Sequence, residues 1–222
     1  NLDIAKTTVS IQGFGNVGEY AARLYQQMGG KVIAVSSWDQ KDKKSYTFRN
    51  KAGIDVVKLA SIKDSFGTID KEKAQDMGCE LLSGEEWVEQ EVDIILPAAL
   101  ENQITPNNMG KIHPQVKVLC EAANGPTNPD CDDFIRSRGI YLIPDFLCNA
   151  GGVTCSYFEQ VQCNTNYFWD KDEVLAKLNS KMTSAFLAVN ELAQEKNLYM
   201  RDAAYIIAVK RVADAVRMRG WA

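Results

Sequence analysis

Histidine is almost missing from this sequence: His113 stands alone among 222 residues. The six cysteines, Cys79, Cys120, Cys131, Cys148, Cys155 and Cys163, form no CxxC pair and lie far apart. Metal centres need closely spaced Cys, His or carboxylate ligands, so no metal site is expected. Dispersed thiols fit a reducing compartment, where they act as small semi-apolar fillers rather than disulfides. No run of Lys and Arg dominates any stretch and the formal net charge is −4. That excludes the usual electrostatic footprint for nucleic acid or an anionic membrane. Long apolar runs are missing too. The stretch from Val92 to Leu100 falls far short of the ~20 residues of a bilayer span, and the first residues lack a charged-then-apolar export pattern. The expectation is a cytoplasmic protein with no membrane and no nucleic-acid partner.

What is present is ordinary globular material: 45% hydrophobic and 24% charged residues, enough for one domain over 1–222 with a sizeable core. Thr7 to Gln12 (TTVSIQ) is short and β-branched and ends at Gly13, which reads as a buried strand. From Val17 to Met28 the apolar positions Val17, Ala21, Leu24, Tyr25 and Met28 recur at helical steps, and Gly29-Gly30 stops the pattern. Lys31 to Ser36 (KVIAVS) is a second apolar run, completing the size of one parallel βαβ unit. Ser37 to Gly53 is polar and lysine-rich and reads as an irregular connection, with a short hairpin around Ser45 to Arg49 as an option. A helical stretch near Ile54 to Phe66 follows. Val92 to Leu96, Val116 to Cys120 and Ile140 to Ile143 read as further strands. Short helices are expected at Asn128 to Arg138 and Asn149 to Val161, long ones at Lys171 to Lys196 and Arg201 to Arg219. Strands alternate with helices to about Ile143 and helices alone follow. The fold class expected is α/β: a Rossmann-like, doubly wound, mostly parallel sheet with helices on both faces and C-terminal helices over about 170–222.

The chemistry begins at Gly13-Phe14-Gly15-Asn16-Val17-Gly18, a GxGxxG set between strand and helix. The first glycine permits the sharp turn, the second lets backbone approach a pyrophosphate, and the third packs helix on strand. Unpaired N–H groups and the positive end of the helix dipole then face the phosphates. About twenty residues on, an NAD-type unit has an acidic residue for the adenosine ribose. Here stand Ser36-Ser37-Trp38-Asp39. If Ser37 takes that place, no carboxylate repels a 2′-phosphate and Lys41, Lys43 or Lys44 could pair with one; if Asp39 takes it, NAD is preferred. Both NAD and NADP stay open. Three later segments, Pro97 to Asn102, Glu121 to Pro126 and Asn149 to Val153, are expected to end strands at the edge where a doubly wound sheet binds ligands. Their small residues leave room for a flat ring and ribose, and asparagine both donates and accepts.

Taken in order, IQGFGNVG, PAALENQIT, EAANGPTNPD, PDFLCNAGGVTCSYFEQVQ and MRDAAYIIAVKRVADAVRMRGW resemble the dinucleotide-binding domain of the glutamate, leucine, phenylalanine and valine dehydrogenases, over nearly the whole chain. Within that family the chain is similar to the hexameric glutamate enzymes of archaea and bacteria. The resemblance implies reversible oxidative deamination of an amino acid to a 2-oxo acid and ammonia, with hydride passing to the nicotinamide. It places Gly13 to Gly18 at the pyrophosphate, Ser37 where many relatives have aspartate with Trp38 beside it, and Ala98 and Ala99 along the adenosine side. Asn124 falls beside the nicotinamide ribose and Asn149 near nicotinamide and substrate. Val153 and Ser156 line the side-chain pocket, where a hydroxyl suits the distal carboxylate of glutamate. It also implies that the catalytic lysine and aspartate lie in a substrate domain absent from this chain, so that no catalytic residue is expected here, and that the parent is a homohexamer. Gln160 stands where close relatives carry tryptophan. Other readings remain. One is a branched-chain or aromatic amino-acid dehydrogenase of the same family. Another is a dinucleotide-sensing module, which gives no reason for Ser156 or the Asn149 to Val153 turn. A third, a self-contained Rossmann oxidoreductase, has only His113, Asp145 and Glu159 as proton-transfer candidates; His113 reads as a loop residue and Asp145 as a structural or capping group.

Overall fold

Thr8, Val9 and Ile11 make Thr8–Gln12 the first strand, β1, and all of it beyond Thr8 is buried, as a strand covered on both faces must be. In the computed structural model, which describes residues 2–221, the elements that follow are α1 (Asn16–Gln27), β2 (Lys31–Asp39), β3 (Lys44–Arg49), α2 (Val56–Ser61), α3 (Lys71–Asp76) and β4 (Glu80–Ser83). Then come a 3-10 turn (Gly84–Glu89), β5 (Ile94–Pro97), β6 (Val118–Cys120), α4 (Asp132–Ser137) and β7 (Tyr141–Ile143). Four helices close the chain: α5 (Asp145–Cys148), α6 (Ala150–Thr165), α7 (Lys171–Lys196) and α8 (Met200–Met218). The described residues divide after Tyr141 into two compact units.

The sheet has seven strands in the order β4-β3-β2-β1-β5-β6-β7. β1 pairs in parallel with β2 and β5, and β5 with β6, whereas β3 is antiparallel to both β2 and β4. The expected α/β, doubly wound, mostly parallel class is therefore the observed one. Val9, Ile11, Val32, Val35, Phe48 and Leu59 centre its core, and burying each such side chain stabilises by about 1.5–3 kcal/mol. The second unit has its own core of Leu147, Val189, Ala193, Met200, Ala203 and Ala204, where α7 and α8 pack together. Asp170 caps α7 by accepting from the Glu173 amide at 2.8 Å, and Asn197 ends it in the left-handed conformation. No helix among the described residues is long and apolar enough to cross a membrane.

Three sequence expectations need correction. Ser37 to Gly53 is not irregular: β2 runs on to Asp39 and returns as β3, so Ser45 to Arg49 is one arm of a longer hairpin and not a short hairpin of its own. Its polar composition hid it, because Asp39 is buried yet satisfied, accepting from the amides of Lys41 (2.8 Å) and Asp42 (3.0 Å) and from Lys71 Nζ (2.7 Å). The helix near Ile54 to Phe66 stops at Ser61, because the Asp64 side chain takes the amides of Phe66 and Thr68 and bends the chain into a turn. Along α1 and its C-cap, Val17, Leu24 and Met28 do not face the core, although Tyr25 packs against it. Gly18 and Ala22 are buried there, while Val17 is 52%, Leu24 56% and Met28 61% exposed. The helix lies too close to the strand for anything larger, since a Cβ at Gly18 would stand 2.0 Å from the Gly13 carbonyl oxygen.

Candidate functional site

The chain leaves β1 for β2 on one side and only later returns to β5 on the other, so the strand order switches direction at β1. In open α/β sheets the ligand crevice lies outside the carboxyl ends of the strands at such a switch. Here those ends converge. The amide of Gly13 donates to the Ser36 carbonyl and that of Ala98 to the Gln12 carbonyl, each at 2.8 Å, and the amides of Ala122 and Ala123 reach the Pro97 carbonyl at 3.0 and 2.9 Å. The GFGNVG turn, Ser36 to Trp38, Ala98-Ala99 and the segment leading to Asn124 thus meet at one edge.

Within the turn the three glycines serve different ends. Gly13 has φ of 94°, a conformation that side chains strain, and a Cβ there would lie 2.8 Å from the Ala99 Cβ. Gly18 is demanded by the Gly13 carbonyl. Gly15 is not demanded by the chain at all: it is in extended conformation as the N-cap of α1, and a Cβ on it would meet nothing within 4 Å. No side chain caps the start of α1. The opening N–H groups of a twelve-residue helix, bearing about half a positive charge, therefore face space that only a glycine leaves free. A phosphate-bearing group fits that cradle.

Two residues beside the turn were missed in the sequence, one of them without any signal. Lys63, from the loop after α2, donates to the Phe14 carbonyl at 3.3 Å, lies over the Phe14 ring at 5.1 Å, and pairs with Glu19, which Arg23 also reaches at 2.6 Å. Burial pushes the Glu19 carboxyl up, but the two cations outweigh it and hold the group below its usual range. Lys63 was invisible because its position depends on a turn far along the chain. Gln12, by contrast, directly precedes the glycines and could have been singled out.

At the end of β2, Ser37 is buried and Trp38 half-exposed, with its indole N–H on Gln40 Oε1 at 3.2 Å. Asp39 is committed elsewhere. Lys71 first, then the amides of Asp42 and Lys41, hold its carboxyl down at about 2 against its burial. Lys41 lines one hollow with Asp39 and Lys63, while Lys43 and Lys44 line another with Trp38, so the three lysines do not act as one group. Ala98 is half-buried, and Ala99 and Asn124 are exposed. In the second unit the Asn149 to Val153 segment does not end a strand as expected: Asn149 lies between α5 and α6 as the N-cap residue of α6, without a side-chain capping bond, and Val153 and Ser156 follow on one face of that helix. Val153 is 70% exposed, and the exposed Ser156 hydroxyl donates to the Gly152 carbonyl in its own helix, at 3.3 Å. Gln160 is exposed. Of the proton-transfer candidates, His113 is half-buried with Nδ1 accepting from the Gln115 amide, Asp145 pairs with Arg201 at 3.8 Å, and Glu159 is exposed.

Known proteins share this arrangement. The family model for glutamate/leucine/phenylalanine/valine dehydrogenase matches residues 1–220. An NAD-specific glutamate dehydrogenase of Staphylococcus aureus is 42% identical over 223 aligned positions, covering 100% of this chain and 50% of the relative. One from Clostridioides difficile is 40% identical over 99% of this chain and 51% of its own length. The crystal structure of glutamate dehydrogenase from Peptoniphilus asaccharolyticus superposes with a TM-score of 0.78 at 37% identity, over 97% of this chain and 48% of that one. The chain spans about half the length of the curated relatives it matches. With a family match across nearly its whole length and a glycine turn at the switch point of the sheet, the chain belongs to the glutamate/leucine/phenylalanine/valine dehydrogenase family.

Proposed function

We propose that this chain is the nicotinamide-dinucleotide-binding part of a glutamate dehydrogenase, which converts L-glutamate to 2-oxoglutarate and ammonia with NAD or NADP as hydride acceptor. The observation that carries the reading is the open, uncapped start of α1 behind Gly15. Gly13 to Gly18 hold the pyrophosphate through backbone N–H groups and the helix dipole. Ser37 and Trp38 take the adenosine end, with Ala98 and Ala99 along it, and Asn124 and Asn149 orient the nicotinamide ribose and carboxamide. When bound, the nicotinamide supplies the hydride-accepting carbon. Val153 gives an apolar wall for the glutamate side chain, and the Ser156 hydroxyl, free to turn from its long bond to Gly152, donates to the distal carboxylate. The base and the cation for the substrate carboxylate belong to the other half of the relatives' length. The parent protein is cytoplasmic and, as in the family resemblance, a homohexamer.

The test is titration of the chain with NADH, followed by fluorescence, for wild type and Gly15→Val. A Cβ at Gly15 meets nothing of the chain within 4 Å, and a branched side chain there takes space the pyrophosphate needs, so at least about tenfold weaker binding is expected. Equal affinities would overturn the assignment of the turn.

A further inference from the structure

Gln12 ends β1 immediately before Gly13 and is 7% exposed. Its amide is held in one orientation. Nε2 donates to Gln103 Oε1 at 2.7 Å, and Gln103 is itself fixed because its Nε2 donates to the Glu101 carbonyl at 3.0 Å. Turning the Gln12 amide over would set oxygen against oxygen. The relay thus points Gln12 Oε1 away from Gln103, and that buried oxygen meets no donor among the described residues. A buried acceptor without a donor is costly, which favours a partner from outside the chain.

Gln12 also lines a basin of about 650 Å³, shared with Ser36, Trp38, Gly84, Asn102 and Gln103, on the β2 side of the glycine turn. The half-exposed Trp38 indole gives it a flat apolar wall. A ligand suited to both features has an aromatic ring to lie against indole and an N–H donor on the ring's edge. A carboxylate or phosphate brings only acceptors and does not suit that oxygen.

We propose that Gln12 reads the exocyclic amine of adenine, with Gln103 as the positioning residue that fixes its amide. The inference rests on the dinucleotide reading above, which puts the adenosine end on the Ser37 and Trp38 side of the turn. An oxygen in place of the amine would meet the Gln12 carbonyl acceptor to acceptor.

Calorimetric titration of the chain with NAD and with its hypoxanthine analogue, which carries oxygen in place of the amine, tests this. Wild type should bind NAD at least about tenfold more tightly than the analogue. Gln12→Met should bind the two within about threefold, and Gln103→Met should fall between, with melting curves confirming that each variant folds. Equal binding of both ligands by wild type overturns the proposal. So does full discrimination retained in Gln12→Met or, if that variant fails to fold, in Gln103→Met. Failure of wild type to bind either dinucleotide overturns the dinucleotide reading and this inference with it.

Discussion

The glycine turn of the first unit and the Asn149 to Ser156 face of the second carry candidate residues of opposite kinds. In the turn the chemistry is backbone, and each glycine's place is fixed by an atom of the chain or by the space left beside it. On α6 the chemistry is side chain, and Val153 and Ser156 stand exposed on the helix surface. A backbone site is complete by itself, whereas a side-chain wall is half a site until a second surface stands opposite. Binding should therefore reside in this chain and turnover should not.

The strongest way to break that contrast is to seek glutamate oxidation by the chain alone, saturated with NAD. Loss of a positioned acid or base typically costs about 100- to 10,000-fold, and loss of the facing wall removes orientation as well. No NADH formation above background is expected. Steady turnover abolished by Ser156→Ala would show that the chain is self-sufficient.

Next come the glycines themselves. Gly18→Ala drives a Cβ to 2.0 Å from the Gly13 carbonyl oxygen, so α1 must lift from the sheet at a cost of about 3 kcal/mol. Gly15→Ala meets nothing, and its stability should stay within about 0.5 kcal/mol of wild type. Denaturant melts of the two compare them directly, and similar losses for both would erase the distinction between packing and ligand glycines. Ser156→Ala, exposed on α6, should likewise stay within about 0.5 kcal/mol.

Cofactor preference sharpens the contrast further. Ser37 offers no carboxylate, and Asp39 is held by Lys71, so dissociation constants for NADH and NADPH should lie within about tenfold, or roughly 1.4 kcal/mol. A much stronger preference for NADH would mean that a carboxylate reaches the ribose after all.

A further effect concerns pH. The Asp39 carboxyl is lowered to about 2 in the fold against about 3.9 unfolded. Its contribution to stability is therefore full above the unfolded value and lost as pH falls through about 2. The wild-type melting temperature should drop more steeply between pH 4 and about 2 than that of Asp39→Asn. Parallel curves would contradict the ion pair with Lys71.

The sequence announced much of this fold because its signals were local. The β-branched run before Gly13, the glycine spacing and the uncapped start of α1 lie within a dozen residues, and each depends on its neighbours alone. β4, a four-residue strand between Gly78 and Gly84, exists only because β3 offers it an edge. The inward face of α1 was misjudged because hydrophobic periodicity marks where large residues recur, whereas this interface is set by how closely the helix must approach. Lys63 and Gln103 are placed at the site by contacts reaching 49 and 91 residues along the chain, beyond any local pattern.

The most direct test of the account is an amide-resolved NMR titration of the chain with NADH. The account expects the largest shifts at Gly13, Gly15, Asn16, Val17 and Gly18, with smaller ones at Ala98 and Ala99, because those amides ring the start of α1 and the end of β5. Saturable binding that leaves the Gly13 to Gly18 amides unmoved would contradict it.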